Sequence, residues 1–139
     1  VKKSSSWAAE DRAFVVEKIR RFSSAPIYLT ERGTAFGYHD LVVDVRSIPT
    51  MKATGCPVII DAGHSVQKPG AAGGRSGGRP EYIETIALAG VAAGADGIFC
   101  EVHDDPANAK SDGPNSLPLE RIEPLILNAV RVKTAICER

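Results

Sequence analysis

The stretch CPVIIDAGHSVQKPGAAGGRSGGRP (residues 56–80) decides how this chain folds. It opens with a short apolar run typical of a buried strand, and Asp61 and His64 follow that run directly. The next residues, 67–78, contain five glycines among twelve and cannot form a core. Ionisable groups after a buried strand, followed by a flexible loop, are the layout of an active site at the carboxyl end of a parallel strand.

Two other apolar runs end in the same way, namely IYLTERG (residues 27–33) and IFCEVH (residues 98–103). Residues 1–3 read as the end of a fourth strand. Helical patterns separate the strands at residues 8–22, 81–95 and 118–139. The first is expected to bury a face made of Phe14, Val15, Ile19 and Phe22. The second is rich in small residues suited to packing on a sheet, and Pro124 predicts a break or a helix start within the third.

This alternation of strands and helices predicts the α/β class with a parallel sheet. A doubly wound sheet would carry a GxGxxG or GxxxxGK[ST] turn after a strand, and the sequence has neither in that context. A TIM (β/α)8 barrel places catalytic groups at the carboxyl ends of several strands, as here. Because such a barrel takes about 250 residues, the 139 residues are expected to supply about half of one barrel domain.

Composition excludes some classes of partner. Lys and Arg total 17, as do Asp and Glu, which argues against a nucleic acid or a polybasic membrane contact. No apolar run approaches the roughly 20 residues of a membrane helix. No signal peptide is recognisable, and the three cysteines lack a CxxC spacing. These features predict a cytoplasmic protein.

Two kinds of binding group gather at the predicted strand ends. His64, Glu101, His103 and Asp112 offer an imidazole and carboxylate set suited to a divalent metal. Lys2, Lys3 and Arg32 suit a phosphate or carboxylate anion. The simpler alternatives are histidines bonded to backbone and arginine in a salt bridge. The glycine-rich stretch is either a disordered surface loop or a mobile lid.

Four segments together resemble the 3-deoxy-D-manno-octulosonate 8-phosphate synthase family. They are LTERGTAFGYHDLVVDVRSIPTM (residues 29–51), CPVIIDAGHSVQ (56–67), SGGR (76–79) and GADGIFCEVHDDPANAKSDGPNSLPLERIEPLI (94–126). The resemblance implies a TIM barrel enzyme that condenses phosphoenolpyruvate with arabinose 5-phosphate and water. It also implies that residues 1–139 are the C-terminal half of one (β/α)8 domain, with about its last four βα units, and that the protein is a homotetramer.

The resemblance further implies roles for single residues. Lys2 would contact phosphoenolpyruvate and Arg32 would bind its phosphate, while Gln67 lies in the site wall. His64 would face the metal or the attacking water. Glu101 and Asp112 would complete the metal site, and Asp112 would also orient the aldehyde. Residues 68–75 would form a lid over the sugar phosphate, and Lys68, Arg75 and the following Ser76 would bind the substrate there. His103 and Ser111 would support the metal ligands.

Several points stay open. Metal dependence is open, because the family residue that decides it would precede Val1. The cofactor would be Mn, Zn, Fe or a similar divalent ion in a metal-dependent form, and there would be none in a metal-independent form. The chain departs from the family at Ser5 and Ser6, which stand where the family has glutamine and phenylalanine, and at Gly63, where it has threonine; the arginine that follows SGG is displaced to Arg79. The alternatives are a half-barrel without catalysis of its own, decayed or in need of a partner half, and the sister activity of 3-deoxy-D-arabino-heptulosonate 7-phosphate synthase.

Overall fold

A computed structural model describes residues 1–73 and 75–138, without the side chains of Ala71, Ala72 and Arg75. In chain order the helices and strands are α1 (Arg12–Arg20), β1 (Leu29–Glu31), β2 (Thr34–Gly37), β3 (Asp40–Val42), α2 (Ser47–Lys52), β4 (Val58–Asp61), α3 (Ala62–Ser65), β5 (Gln67–Ala72), β6 (Arg75–Gly78), α4 (Ile83–Ala92), β7 (Gly97–Phe99), β8 (Glu101–His103), β9 (Ser116–Pro118) and α5 (Ile122–Cys137). In the described ranges no helix is both long and apolar enough to cross a bilayer.

The central sheet is parallel and follows chain order. β1 pairs with β4 and β4 pairs with β7. On the outer side of β1, Lys2 bridges Thr30 in parallel, and the Lys3 N–H donates to the Thr30 carbonyl at 2.8 Å. The predicted strands at residues 27–33 and 56–61, the start of the third at residues 98–99 and the strand end at residues 1–3 are therefore confirmed. Helices connect each strand to its parallel neighbour, as parallel pairing requires.

Three local predictions were wrong. The run at residues 98–103 is not one strand, because pairing breaks at Cys100 and β8 pairs in parallel with β9 instead. The glycine-rich stretch is not an irregular loop, because β5 and β6 form an antiparallel hairpin held by backbone pairing. Helix α1 buries Val16 together with Arg12, whereas Phe14 is 72% exposed and Phe22 is 84% exposed. Phe14 lies two residues from Val16, so it falls on the opposite helix face.

The sheet is buried under the predicted small-residue helix. Val58 and Ile60 of β4 are fully buried, and α4 packs across β4 and β7. A Cβ added at Gly90 would stand 2.8 Å from Ile60, so only glycine allows this close approach. Pro124 lies in the first turn of α5, which confirms a helix start there.

Asp96 joins the starts of β4 and β7. Its Oδ2 accepts the Val58 N–H at 2.9 Å, and its Oδ1 pairs with Lys52 at 2.7 Å. Burial by itself would raise the pKa of Asp96, but the hydrogen bonds from Lys52 and the Val58 N–H outweigh it and lower that pKa below its ordinary value. This carboxylate therefore stabilises the fold above its ordinary pKa and loses that effect as the pH falls through the lowered pKa.

Replacing Asp96 with Asn is expected to lower the free energy of unfolding by about 1 kcal/mol at pH 7 for this half-exposed pair. The difference from the parent should begin to shrink as the pH falls below the ordinary carboxyl pKa of about 4, and it should vanish only below the lowered pKa of folded Asp96, where the carboxylate is protonated in both the folded and the unfolded parent. Urea unfolding of the parent and the variant at pH 7 and at several values below about pH 4 measures this difference in the free energy of unfolding. Glu120→Gln at an exposed position is the control, and an equal loss there would contradict the prediction.

Candidate active site

Asp61 and His64 form the buried base of the site. Asp61 ends β4 and is fully buried, and its Oδ1 accepts the His64 backbone N–H at 3.0 Å, which caps α3. The same carboxylate lies 3.0 to 3.1 Å from Nδ1 of the His64 ring. Because a carboxylate only accepts hydrogen bonds, we assign a ring proton to Nδ1, and Lys2 Nζ, which can only donate, then directs its proton to Asp61 Oδ2 and not to the nearby Nδ1. With this tautomer the lone pair of the imidazole lies on Nε2.

Lys2 reaches this pair from the neighbouring parallel stretch. Its Nζ forms an ion pair with Asp61 Oδ2 and lies 3.2 Å from His64 Nδ1. It also lies 5.3 Å from the centroid of the Phe99 ring. Its side chain remains 43% exposed, so the ammonium is fixed at its inner side and open to an anionic ligand on the other.

Arg32 contacts the backbone of His64. It follows β1 directly, and its Nη2 donates to the His64 carbonyl at 3.3 Å and to Gln67 Oε1 at 3.1 Å. The predicted wall residue Gln67 thus holds the arginine in place. Lys2 and Arg32 flank one histidine, so the structure brings the two predicted anion-binding residues to the same site.

Asp112 faces the free side of the imidazole. Its Oδ1 lies 3.9 Å from His64 Nε2, which is too long for a hydrogen bond. Asp112 adopts a left-handed backbone conformation with φ of 56°, and its carbonyl accepts the Ser116 hydroxyl at 2.9 Å. The turn therefore presents this carboxylate to Nε2 without contacting it.

Lys3 does not belong to this anion site, contrary to the prediction. Its side chain is 2% exposed, and its Nζ donates to the Gly33 carbonyl at 3.1 Å and to Thr34 Oγ1 at 2.9 Å. Its Nζ also lies 3.5 Å from Glu31 Oε1. Neighbouring residues of an extended chain point to opposite faces, which sends Lys3 away from Lys2. The alternation in Lys2-Lys3 and Glu31-Arg32 was the signal that sequence reasoning missed.

Residues 1–136 match the DAHP synthetase I family. The chain belongs to that family.

Comparison with individual proteins that carry curated names shows a more specific similarity. The chain is 54% identical over 126 residues to the 2-dehydro-3-deoxyphosphooctonate aldolase of Syntrophobacter fumaroxidans, covering 91% of this chain and 44% of that protein. It is 53% identical over 140 residues to the aldolase of the same name from Desulfosudis oleivorans, covering 100% and 50%. The aldolase of Xylella fastidiosa is 46% identical over 144 residues, covering 100% and 52%. The resemblance predicted from the sequence motifs is confirmed, and the chain spans about half the length of these relatives.

The metal-ligand set that the family resemblance implies is not assembled here. Across residues 1–73 and 75–138, no three His, Cys, Asp or Glu side chains converge as a metal site. His64 and Asp112 face each other, but half-buried Glu101 makes no hydrogen bond or ion pair with a described side chain. Two donors fall short of the three protein ligands that catalytic metal sites use. The described residues therefore do not by themselves form a catalytic metal site.

His103 does not support the His64 site as predicted. Its Nδ1 accepts the Asp105 N–H at 2.9 Å and lies 3.0 Å from Asp104, so the ring is held by its own loop. Ser111 is exposed. The described contacts of the His103 ring are thus with its own loop and include none with His64.

The predicted lid residues lie on the β5–β6 hairpin. Lys68 is half-buried and Ser76 is exposed, whereas the side chain of Arg75 lies outside the described part of the structure. His39 Nδ1 lies 2.9 Å from the Pro69 carbonyl, and Arg79 donates to Asp40 at 2.9 Å. These contacts tie the hairpin to the β2–β3 hairpin. The displaced arginine of the family pattern thus has a partner.

Cys100 lies between β7 and β8, next to Glu101. Burial raises the pKa of the Cys100 thiol, and the Asp61 and Glu101 carboxylates raise it further. A raised pKa favours the protonated thiol, which is the weaker nucleophile.

Proposed function

We propose that this chain carries part of the active site of a 3-deoxy-D-manno-octulosonate 8-phosphate synthase. The reaction joins phosphoenolpyruvate, arabinose 5-phosphate and water, and it releases inorganic phosphate. The observation that carries the proposal is the convergence of Lys2 and Arg32 on His64. The shared name of the similar aldolases supports it.

Lys2 and Arg32 would bind phosphoenolpyruvate. Its phosphate and carboxylate carry negative charge, and a planar guanidinium beside an ammonium suits such a pair of groups. The two cations would hold the enol carbon near His64. Positioning of this kind supplies much of the rate enhancement when two substrates must meet.

His64 would handle the proton of the attacking water. Asp61 holds the tautomer in which Nε2 has a lone pair, and Asp112 stands 3.9 Å away on the same side. Water that adds to C2 of phosphoenolpyruvate would give its proton to Nε2, while C3 bonds to the aldehyde carbon of the sugar. Asp112 would orient that aldehyde, whose oxygen would take up the proton from Nε2, directly or through water, and become a hydroxyl. The bond between C2 and the phosphate oxygen would then break as the new C2 hydroxyl gives its proton to the departing phosphate, which leaves a ketone and inorganic phosphate.

The strand arrangement supports a barrel for the whole protein. Residues 1–3, β1, β4 and β7 lie side by side in chain order with no reversal. A doubly wound sheet reverses its order at a switch point, whereas a barrel proceeds in one direction. We place residues 1–139 in the C-terminal half of one (β/α)8 domain, in a cytoplasmic homotetramer.

The sugar substrate separates the proposal from its nearest rival. The family name also covers 3-deoxy-D-arabino-heptulosonate 7-phosphate synthesis, which uses erythrose 4-phosphate. The complete protein should release phosphate from phosphoenolpyruvate in the presence of arabinose 5-phosphate and much more slowly with erythrose 4-phosphate. The reverse preference would favour the sister activity, and no release with either sugar would favour a half-barrel without catalysis.

A chelator separates the two forms left open by the sequence. In the metal-dependent form, with His64, Glu101 and Asp112 as ligands, excess chelator should abolish turnover, and manganese or zinc should restore it. In the metal-independent form, turnover in excess chelator should equal that of the untreated protein. Steady-state phosphate release with and without chelator measures this.

A further inference from the structure

The buried pair of Lys3 and Glu31 lies directly behind the proposed anion site. Both side chains are at most 2% exposed, and their charged atoms are 3.5 Å apart. Each is the chain neighbour of an anion-site residue, since Lys3 follows Lys2 and Glu31 precedes Arg32. The pair therefore links the backbones of the two site cations on the far side of the sheet.

Every contact of the pair falls on the turn after β1. Lys3 Nζ donates to the Gly33 carbonyl and to Thr34 Oγ1. Glu31 Oε1 accepts the Gly33 N–H at 2.6 Å. Gly33 has a φ of 85°, a conformation that glycine adopts without strain. The pair thus fixes the path of the chain immediately beyond Arg32.

Stability alone accounts poorly for this arrangement. Burying two charges costs free energy that their attraction often fails to repay. Among the described residues, Glu31 Oε2 has no hydrogen-bond partner, so the pair is incompletely satisfied. Its contacts are concentrated on the one turn that orients Arg32.

We infer that Lys3 and Glu31 are positioning residues that set the spacing of Lys2 and Arg32 for a doubly anionic ligand. This inference rests on the proposed function for the identity of that ligand, phosphoenolpyruvate. The pair does not touch the ligand. It acts through the Arg32 turn and through the Lys2 strand, whose backbone is hydrogen-bonded to Thr30.

Calorimetric titration of the complete protein with phosphoenolpyruvate tests the inference. Lys3→Met should raise the Kd for phosphoenolpyruvate by about 10- to 100-fold, because it frees the turn that carries Arg32. The KM for arabinose 5-phosphate should stay at the parent value. Lys52→Met is the matched control, since it also removes a lysine paired with a carboxylate but at the start of the strands, and its Kd should equal that of the parent.

The double variant Lys3→Met/Glu31→Gln distinguishes positioning from folding. It leaves no uncompensated buried charge, so its stability should recover relative to Lys3→Met. Its Kd for phosphoenolpyruvate should nevertheless stay raised, because the contacts of Lys3 with Gly33 and Thr34 are still missing. A double variant that binds like the parent would overturn the inference, as would an equal rise in Lys52→Met.

Failure of the inference and failure of the proposed function give different results. A parent protein that binds phosphoenolpyruvate without turning it over contradicts the function, and the variant Kd values still decide the positioning role. A parent that turns over, with variants of unchanged Kd, contradicts the inference alone. A parent that does not bind phosphoenolpyruvate contradicts both.

Discussion

Asp61→Asn is expected to lower kcat by about 100-fold or more, with the protein still folded. The amide oxygen can still accept the His64 N–H that caps α3, so the local backbone is kept. The amide nitrogen, however, would donate to Nδ1 of the ring, which moves the ring proton to Nε2. Nε2 then has no lone pair for the water proton, and Lys2 loses its ion-pair partner.

The matched control for this change is Asp44→Asn. Asp44 also accepts a backbone N–H near the start of a helix, that of Arg46 at 3.0 Å, and it pairs with the Arg46 side chain. It makes no described contact with the His64 site. Phosphate release under saturating substrates should be unchanged in Asp44→Asn. A surface substitution usually changes stability by less than about 0.5 kcal/mol, and the same energy changes a rate by about threefold at most. A kcat of Asp61→Asn within about threefold of the parent would therefore contradict the tautomer assignment.

Gly78→Ala is expected to destabilise the protein by about 2 to 3 kcal/mol through overpacking. A Cβ at residue 78 would stand 2.1 Å from Asn115 Oδ1 and 2.2 Å from the Pro114 carbonyl. Asn115 is buried, and the turn it belongs to starts next to Asp112. Because neither atom can move freely, the β5–β6 hairpin must shift away from that turn.

Gly77→Ala provides the control one residue away. The nearest atom to a Cβ at residue 77 is the Lys68 Cβ at 4.0 Å, an ordinary contact. Urea unfolding should therefore place Gly77→Ala within about 0.5 kcal/mol of the parent. If both alanine variants lost the same free energy of unfolding, the loss would come from the hairpin propensity of alanine and not from contact with the Asn115 turn.

The central part of the site was predictable because its signals are local. The apolar run before Asp61 identified β4, and strand ends of a parallel sheet share one edge, so Lys2, Arg32 and His64 could be expected together. The hairpin of residues 67–78 was not predictable in this way. Its pairing runs through backbone groups of glycine-rich strands, which leave no alternating side-chain pattern.

Other details depended on which way a single side chain points. Lys3 was grouped with Lys2 because the residue types match, but alternation along an extended chain sends it to the opposite face. His103 shares its strand-end position with His64, yet a tight turn binds its ring to the Asp105 N–H. The approach of Asp112 to His64 spans 48 residues and depends on a left-handed backbone that no local pattern encodes.

A crystal structure of the complete protein with phosphoenolpyruvate tests the account most directly. The account predicts that the phosphate lies against Arg32 and Lys2, with C2 on the Nε2 side of His64 and the Asp61 to Nδ1 hydrogen bond intact. Phosphoenolpyruvate bound elsewhere, with Arg32 still donating only to Gln67 and the His64 carbonyl, would contradict it.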